Sequence, residues 1–397
     1  MTAPLSDIRV CDLTQNLAGP YCTQILADLG AAVVKVEPPG GDLARAWGPP
    51  FWGGESALYL SANRGKRSIV LDLKSEKGME VLHRIVRESD VFVQASRPGV
   101  SRRLGFDYDA IRRVRADVIY MGISAYGKHG PLSELPGYDP LMQAYSGIMS
   151  LTGHPDAPPT RVGGAVVDYG TGMWAATAIL AALRARDHHG EGVELETSLL
   201  DTALAWVSYH IAGYLGTGEI PGPMGSGISS IAPYQAFPTE DGHVMIAAGN
   251  DALFGRLCAA LDVPEVASDG RFRTNPDRVA HRDELTPLLD ARTRTLTTAE
   301  LLERGQAHAV PCSAIHSIAE VVEDKQVLAS EMIPSAPTNE LPDYREVALP
   351  LRIDGRRPRA PVRPPGSGEH TREVLAGLGY GDDEIDALIA GGVAGAQ

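Results

Sequence analysis

Cysteine is scarce in this chain: four residues, Cys11, Cys22, Cys258 and Cys312, in a sequence of 397. None stands in a C-x-x-C pair or at metal-ligand spacing, so the sequence predicts neither a disulfide framework nor a bound metal, and the usage fits a reducing compartment. No run reaches the roughly 18 uncharged apolar residues that a membrane span needs, and Met1 to Ser6 lacks a basic and then apolar leader. A cytoplasmic protein is expected. Positive charge is also short, with 36 Lys and Arg against 50 Asp and Glu and a net charge of -14, which argues against nucleic acid and anionic membranes as partners. Finally, the first strand-to-helix turn, Thr14 to Pro20, has no G-x-G-x-x-G, so the close backbone approach to a pyrophosphate is missing and a nicotinamide enzyme is disfavoured.

What the chain does have is a βαβ beginning. Ile8–Leu13 reads as a buried strand, Gly19–Gly30 as a helix closed by glycine, and Ala31–Glu37 as a second strand, so a parallel sheet is expected. Further strands are read at Ser68–Leu73, Val91–Gln94, Val118–Ser124 and Gly192–Thr197. Helices are read at Val81–Val86, Met173–Leu183 and Leu199–Leu215. Gly216–Ser230 is rich in glycine, proline and serine and marks a change of unit. Two paired strands, Pro233–Phe237 and Val244–Ala248, then lead into helices from Asp251 to Gly305, a smaller α+β domain. Pro350–Pro365 holds five prolines and reads as an extended connector before two terminal helices. Between Ser61 and Arg115 there are 13 Lys and Arg against 7 Asp and Glu, a local balance of +6 that suits a small polyanionic ligand as well as it suits a solvated helix face.

The stretch around which the rest is organised is Arg161 to Gly172. A short β-branched segment there delivers one carboxylate, Asp168, to a corner flanked by glycines, and a helix without charge follows as far as Arg184. Asp168 reads either as an acid in the first turn of that helix or as a nucleophile whose small neighbours let a bulky substrate reach its oxygens. With an ordinary pKa of about 3.9 it is ionised at neutral pH and needs no base to activate it. His188, His189 and His210 have bland explanations, as an exposed turn and a core imidazole.

Taken together, Leu17-Ala18-Gly19-Pro20, Lys35 to Asp42, Asn63 to Ser68, Arg97-Pro98-Gly99, Gly164 to Asp168, Pro233 to Phe237, Ala248 to Asp251 and Gly368 to Arg372 resemble, in the same order, the family III CoA-transferases (CaiB/BaiF-like, the formyl-CoA transferase superfamily). The resemblance implies an α/β fold, with a Rossmann-like parallel-sheet large domain built from both chain ends, a smaller α+β domain, and two subunits interlocked as a homodimer. It sets the domains as 1–198 for the first part of the large CoA-binding domain, 199–228 as linker, 229–325 as the small domain and 326–397 as connector and return. It also implies a reaction. The carboxylate of Asp168 attacks a donor acyl-CoA to give a mixed anhydride, the released thiolate returns to form an aspartyl-CoA thioester, and a small carboxylic acid takes the CoA through a second anhydride.

Coenzyme A, as acyl-CoA, is the cofactor implied. The matched positions are Asn16, Leu17 and Ala18 near the thioester arm, Leu71, Asp72, Leu73 and Lys74 around adenine and ribose, Ser96, Arg97 and Arg103 near the phosphates, and Tyr138 and Asp139 near the thiol end. For Lys74 and Arg103 a surface ion pair is the plain alternative. The loop Met224–Ser229 is a candidate lid or a simple linker. Two departures stand out: Gln94-Ala95-Ser96 replaces the family's Glu-Asn-Phe, and Tyr138 precedes Asp139 where related racemases place a histidine. The second disfavours the alternative of an α-methylacyl-CoA racemase-like isomerase, because a tyrosine is a poor proton acceptor at neutral pH.

Overall fold

Residues 3–97, 99–338, 341–360 and 362–395 are described by the structure, a computed structural model; Pro98 of the Arg-Pro-Gly motif and Pro361 of the connector lie outside them. By contacts the chain divides into two compact units. One comprises residues 1–147, 162–212 and 326–397, the other 148–161 and 213–325. Residues 199–228, expected as a linker, hold two helices, Leu199–Trp206 and Ser208–Thr217.

The first unit is organised by one sheet. Its strands are β1 (Arg9–Leu13), β2 (Ala32–Glu37), β3 (Lys66–Leu71), β4 (Val91–Gln94), β5 (Ile119–Ser124) and β6 (Val193–Ser198). They lie side by side in the order β3-β2-β1-β4-β5-β6, all parallel, and the short strand Ala394–Gly395 adds antiparallel to the edge of β3. This is the strand order of a doubly wound dinucleotide fold, in which ligands sit at the carboxyl ends of the strands where the order reverses, here between β1 and β4.

Both faces of the sheet are covered, which is why the central strands are almost continuously apolar. Successive residues of β1 point to opposite faces, so Val10 joins a core with Leu26 of helix α1 (Ala18–Asp28) and Ile179, while Cys11 joins one with Val81, Leu82 and Ile85 of helix α2 (Glu76–Arg87). The second core also takes Leu375, Ile385 and Leu388 from the end of the chain. All four cysteines are free thiols, Cys11, Cys22 and Cys258 buried.

β3 stops at Leu71, two residues earlier than the sequence suggests. The Asp72 carboxylate accepts from the Lys74 amide at 3.0 Å and Ser75 caps α2, so Asp72, Leu73 and Lys74 form a turn at the strand's carboxyl end. Val166 and Val167 open helix α3 (Val166–His189), and Asp168 stands in its first turn, one of the two readings its sequence context allows. Gly172 explains the helix's position, since a Cβ there would meet the Ala18 carbonyl oxygen at 2.6 Å, so α3 packs backbone-close on α1. By length and composition α3, with a mean hydropathy of 1.3, could cross a membrane, but half of that stretch is buried inside the protein.

The second unit has a three-stranded antiparallel sheet, Tyr234–Pro238, His243–Ala247 and Cys312–Ala314, backed by helices through Phe237, Ile246, Phe254, Leu257 and Leu289. The loop Met224–Ser229 is tied down within this unit. The Gly225 amide donates to Gly153 O at 2.7 Å, and one Arg282 nitrogen donates to the carbonyls of Ile228, Ser229 and Ile231.

Candidate active site

At the carboxyl ends of β1 and β4 the first unit opens two cavities. The first, about 280 Å³, is lined among others by Gln15, Asn16, Leu17, Ala18, Ala95, Ser96, Arg97, Tyr138 and Asp168. The second, about 540 Å³, is lined among others by Pro38, Pro39, Leu71, Asp72, Leu73, Lys74, Ser96 and Leu104. Leu13, Gln15 and Ser96 belong to both walls. Of the positions singled out in the sequence, 16, 17, 18 and 138 line the first cavity with Asp168, and 71 to 74 line the second. Arg97 is on the first wall, whereas Arg103, on the short helix Val100–Leu104, lines neither.

The Asp168 carboxylate is half-buried and accepts no hydrogen bond among the described residues. Its free oxygens are a consequence of Asp139. That residue is 3% exposed and is not on the cavity wall; one of its oxygens accepts from the Val167 amide at 2.8 Å and the Asp168 amide at 3.2 Å, and the other from Gln143 Nε2 at 2.6 Å. Asp139 thus caps α3 from outside the helix, while its neighbour Tyr138 lies on the cavity wall. Because Asp139 occupies the first-turn amides, Asp168 has no need to fold back on them.

The same arrangement overturns the ordinary pKa expected for Asp168. Burial first, and the negative charge of Asp139 second, push it up to about 7. The glycines around it also divide by role. A Cβ on Gly163 or Gly164 would meet nothing within 4 Å, whereas Gly170 packs on Trp206 and Gly172 on α1. The glycines after Asp168 serve helix packing, not substrate access.

Lys74 and Arg97 are exposed and form no ion pair among the described residues, and neither does Arg103; the plain alternative of surface pairing holds for Arg102, which lies 3.5 Å from Asp107. Ala95 is exposed and offers no polar group to the first cavity, while Gln94 turns inward, its Oε1 accepting from the Ser96 amide at 2.7 Å. Sequence reasoning missed Gln15, Leu43, Trp47, Ser124 and Leu199 on the first wall. Gln15 and Ser124 had a signal, since each closes or follows a parallel strand at its carboxyl end. Trp47, which packs on Tyr138 with ring centres 5.9 Å apart, had none.

Strand order, two adjoining cavities at the reversal point and a bare carboxylate on the wall of the smaller one define an α/β protein with room for an extended ligand. Comparison with known proteins makes this specific. The model of CoA-transferase family III matches residues 5–371, and the chain belongs to that family; it is an enzyme, a CoA-transferase. It is 40% identical to the succinate–glutarate CoA-transferase of Agrobacterium fabrum, over 94% of this chain and 96% of that one, and 37% identical to the succinyl-CoA:glutarate CoA-transferase of Mus musculus, over 98% and 90%. The crystal structure of a CaiB/BaiF family protein from Brucella suis superposes with a TM-score of 0.86 at 37% identity, covering 95% of this chain and all of that one.

Proposed function

We propose that the chain moves CoA from an acyl-CoA donor to a free carboxylic acid with Asp168 as the nucleophile. The observation that carries this is the unpartnered Asp168 carboxylate on a cavity that shares walls with a second one bearing the unpaired Lys74. An Asp168 oxygen attacks the thioester carbonyl, the C–S bond breaks, and the electron pair leaves on the CoA thiolate. The thiolate then attacks the carbonyl carbon of Asp168 in the anhydride, the donor acid departs as carboxylate, and an aspartyl-CoA thioester remains. The acceptor carboxylate reverses both steps and restores Asp168. No net proton is taken up or released.

A raised pKa suits this role, since a more basic carboxylate is the better nucleophile once ionised. Anhydride and thioester both hydrolyse, so the reading needs water kept from the site during turnover. Because the similar enzymes named above bear the names of succinate and glutarate, small dicarboxylic acids are the first acceptors to try. The same reading has the enzyme working as an interlocked homodimer in the cytoplasm. Digestion and mass spectrometry after mixing with succinyl-CoA should find a CoA or acyl adduct on the peptide holding Asp168, and Asp168→Ala should abolish both adduct and turnover. Turnover that persists in that variant would refute the proposal.

A further inference from the structure

We propose that Gln15 holds the pantetheine arm of CoA at the point where the two cavities meet. The inference rests on the reading above for which end of the ligand lies in which cavity. A molecule with its nucleotide beside Lys74 and its thioester at Asp168 has to pass the shared wall of Leu13, Gln15 and Ser96. Leu13 is apolar there, and Ser96 has its backbone amide taken by Gln94. Gln15 alone brings a side-chain amide, half-buried and without a partner among the described residues. A carboxamide joins a donor and an acceptor in one plane, which matches the amide groups of a pantetheine chain.

The backbone on either side of Gln15 is clamped from below. The Asp12 carboxylate accepts from the Thr14 amide at 2.8 Å and from its hydroxyl at 2.5 Å, and Lys35 Nζ donates to the Thr14 carbonyl at 2.8 Å. On the other side, the Asn16 amide donates to Asp42 Oδ1 at 3.0 Å while Asp42 Oδ2 pairs with Lys35 at 2.7 Å, both side chains wholly buried. Asn16 takes the left-handed conformation, φ 67°, that asparagine tolerates better than most residues. One buried ion pair therefore holds the Thr14 carbonyl and the Asn16 amide on either side of residue 15 and fixes where its side chain leaves the backbone.

The test measures binding without turnover, so it stands whatever becomes of Asp168 as nucleophile. Calorimetry with the full-length enzyme compares free CoA with adenosine 3′,5′-bisphosphate, which lacks the arm, for the native chain, Gln15→Leu and Lys74→Ala. Gln15→Leu is expected to weaken CoA about fivefold to tenfold, the worth of one neutral hydrogen bond, and to leave the nucleotide unchanged. Lys74→Ala is expected to weaken both. In turnover, Gln15→Leu should raise KM for the acyl-CoA by the same factor while kcat and the acceptor's KM stay within twofold. Equal losses for CoA and nucleotide, no loss for either, or a fall in kcat at unchanged affinity would each overturn the assignment.

Discussion

Positive charges in the stretch from Ser61 to Arg115 meet two different fates. Under the strand ends they are buried and paired: Lys66 lies 3.1 Å from Asp12 and also donates to Asn63 Oδ1 and the Pro20 carbonyl, Arg64 grips Asp28, and farther along Arg115 bonds Asp90 and Asp117. Lys35, from the preceding strand, is locked to Asp42 in the same way. At the carboxyl rim, Lys74, Arg97 and Arg103 have no carboxylate among the described residues. The contrast separates charges that hold the fold together, Lys35 and Lys66 among them beneath residues 12–16, from charges left for a ligand. A buried pair is costly to desolvate and fixes geometry, whereas an exposed cation adds little to stability and keeps its charge available.

Breaking the buried side should produce the largest effect. Lys35→Met leaves Asp42 charged and alone in a dry environment and releases the Thr14 carbonyl, so we expect a loss of about 3–5 kcal/mol in urea unfolding, together with loss of CoA binding. Burial works to lower the Lys35 pKa, but Asp42, Asp12 and Glu37 outweigh it and the net shift is upward, so Lys35 keeps its proton throughout the neutral range. Adding Asp42→Leu removes the orphaned charge and should recover part of the stability without restoring binding, because the Asn16 amide has still lost its acceptor. Equal binding in Lys35→Met and the native chain would dissolve the distinction between builders and binders.

Next in size is the pair of acids at α3, where one builds and one is left bare. Formation of the Asp168 adduct requires the carboxylate form, so its rate should rise with pH through an apparent pKa near 7. Asp139→Asn removes the neighbouring charge, the smaller of the two causes, so the profile should move to lower pH without reaching the ordinary range, as burial remains. The same shift bears on stability. Between the ordinary value of 3.8 and about 7 the folded state holds a proton at Asp168 that the unfolded chain has released, so folding weakens as pH rises through that window. Asp168→Asn should therefore stabilise the protein above pH 7, by about 1–2 kcal/mol, and the gain should vanish below pH 4, as thermal unfolding at the two pH values would register.

The elements were legible where the pattern is strong and local. β1, β2, β4 and α1 follow from apolar runs between glycine and polar punctuation, and the resemblance names part of each cavity wall, residues 16–18 of one and 71–74 of the other, but not Gln15, Trp47 or Ser124. Asp168 was legible as a residue, but its support was not. Val166 and Val167 are β-branched and poor helix formers by propensity, yet Asp139, 28 and 29 residues away from the amides it accepts from, supports the start of a helix there. No spacing rule reaches that far. The pKa of Asp168 was misread for the same reason, since its second carboxylate comes from a separate helix. The buried ions were invisible as a network because Asp12, Lys35, Asp42 and Lys66 each look unremarkable in sequence and gather only when three parallel strands and the loop after the second lie side by side.

The smallest effects belong to the rim. Lys74 lines the larger cavity and has no partner, so Lys74→Ala should weaken CoA several-fold, with an effect that shrinks as salt is raised, while unfolding shifts by no more than about 0.5 kcal/mol. Arg103 is equally unpaired but lines neither cavity, so Arg103→Ala should cost less than Lys74→Ala, through long-range attraction of the phosphates, and it should lose even that at high salt. The neighbouring Arg102 supplies the control. It is 3.5 Å from Asp107 at an exposed site, and Arg102→Ala should change neither CoA affinity nor stability measurably. If the three variants weaken CoA alike, the rim acts only through its summed charge; if Lys74→Ala stands apart, the wall of the larger cavity makes a direct contact, and the free cations differ from one another as much as they differ from the buried ones.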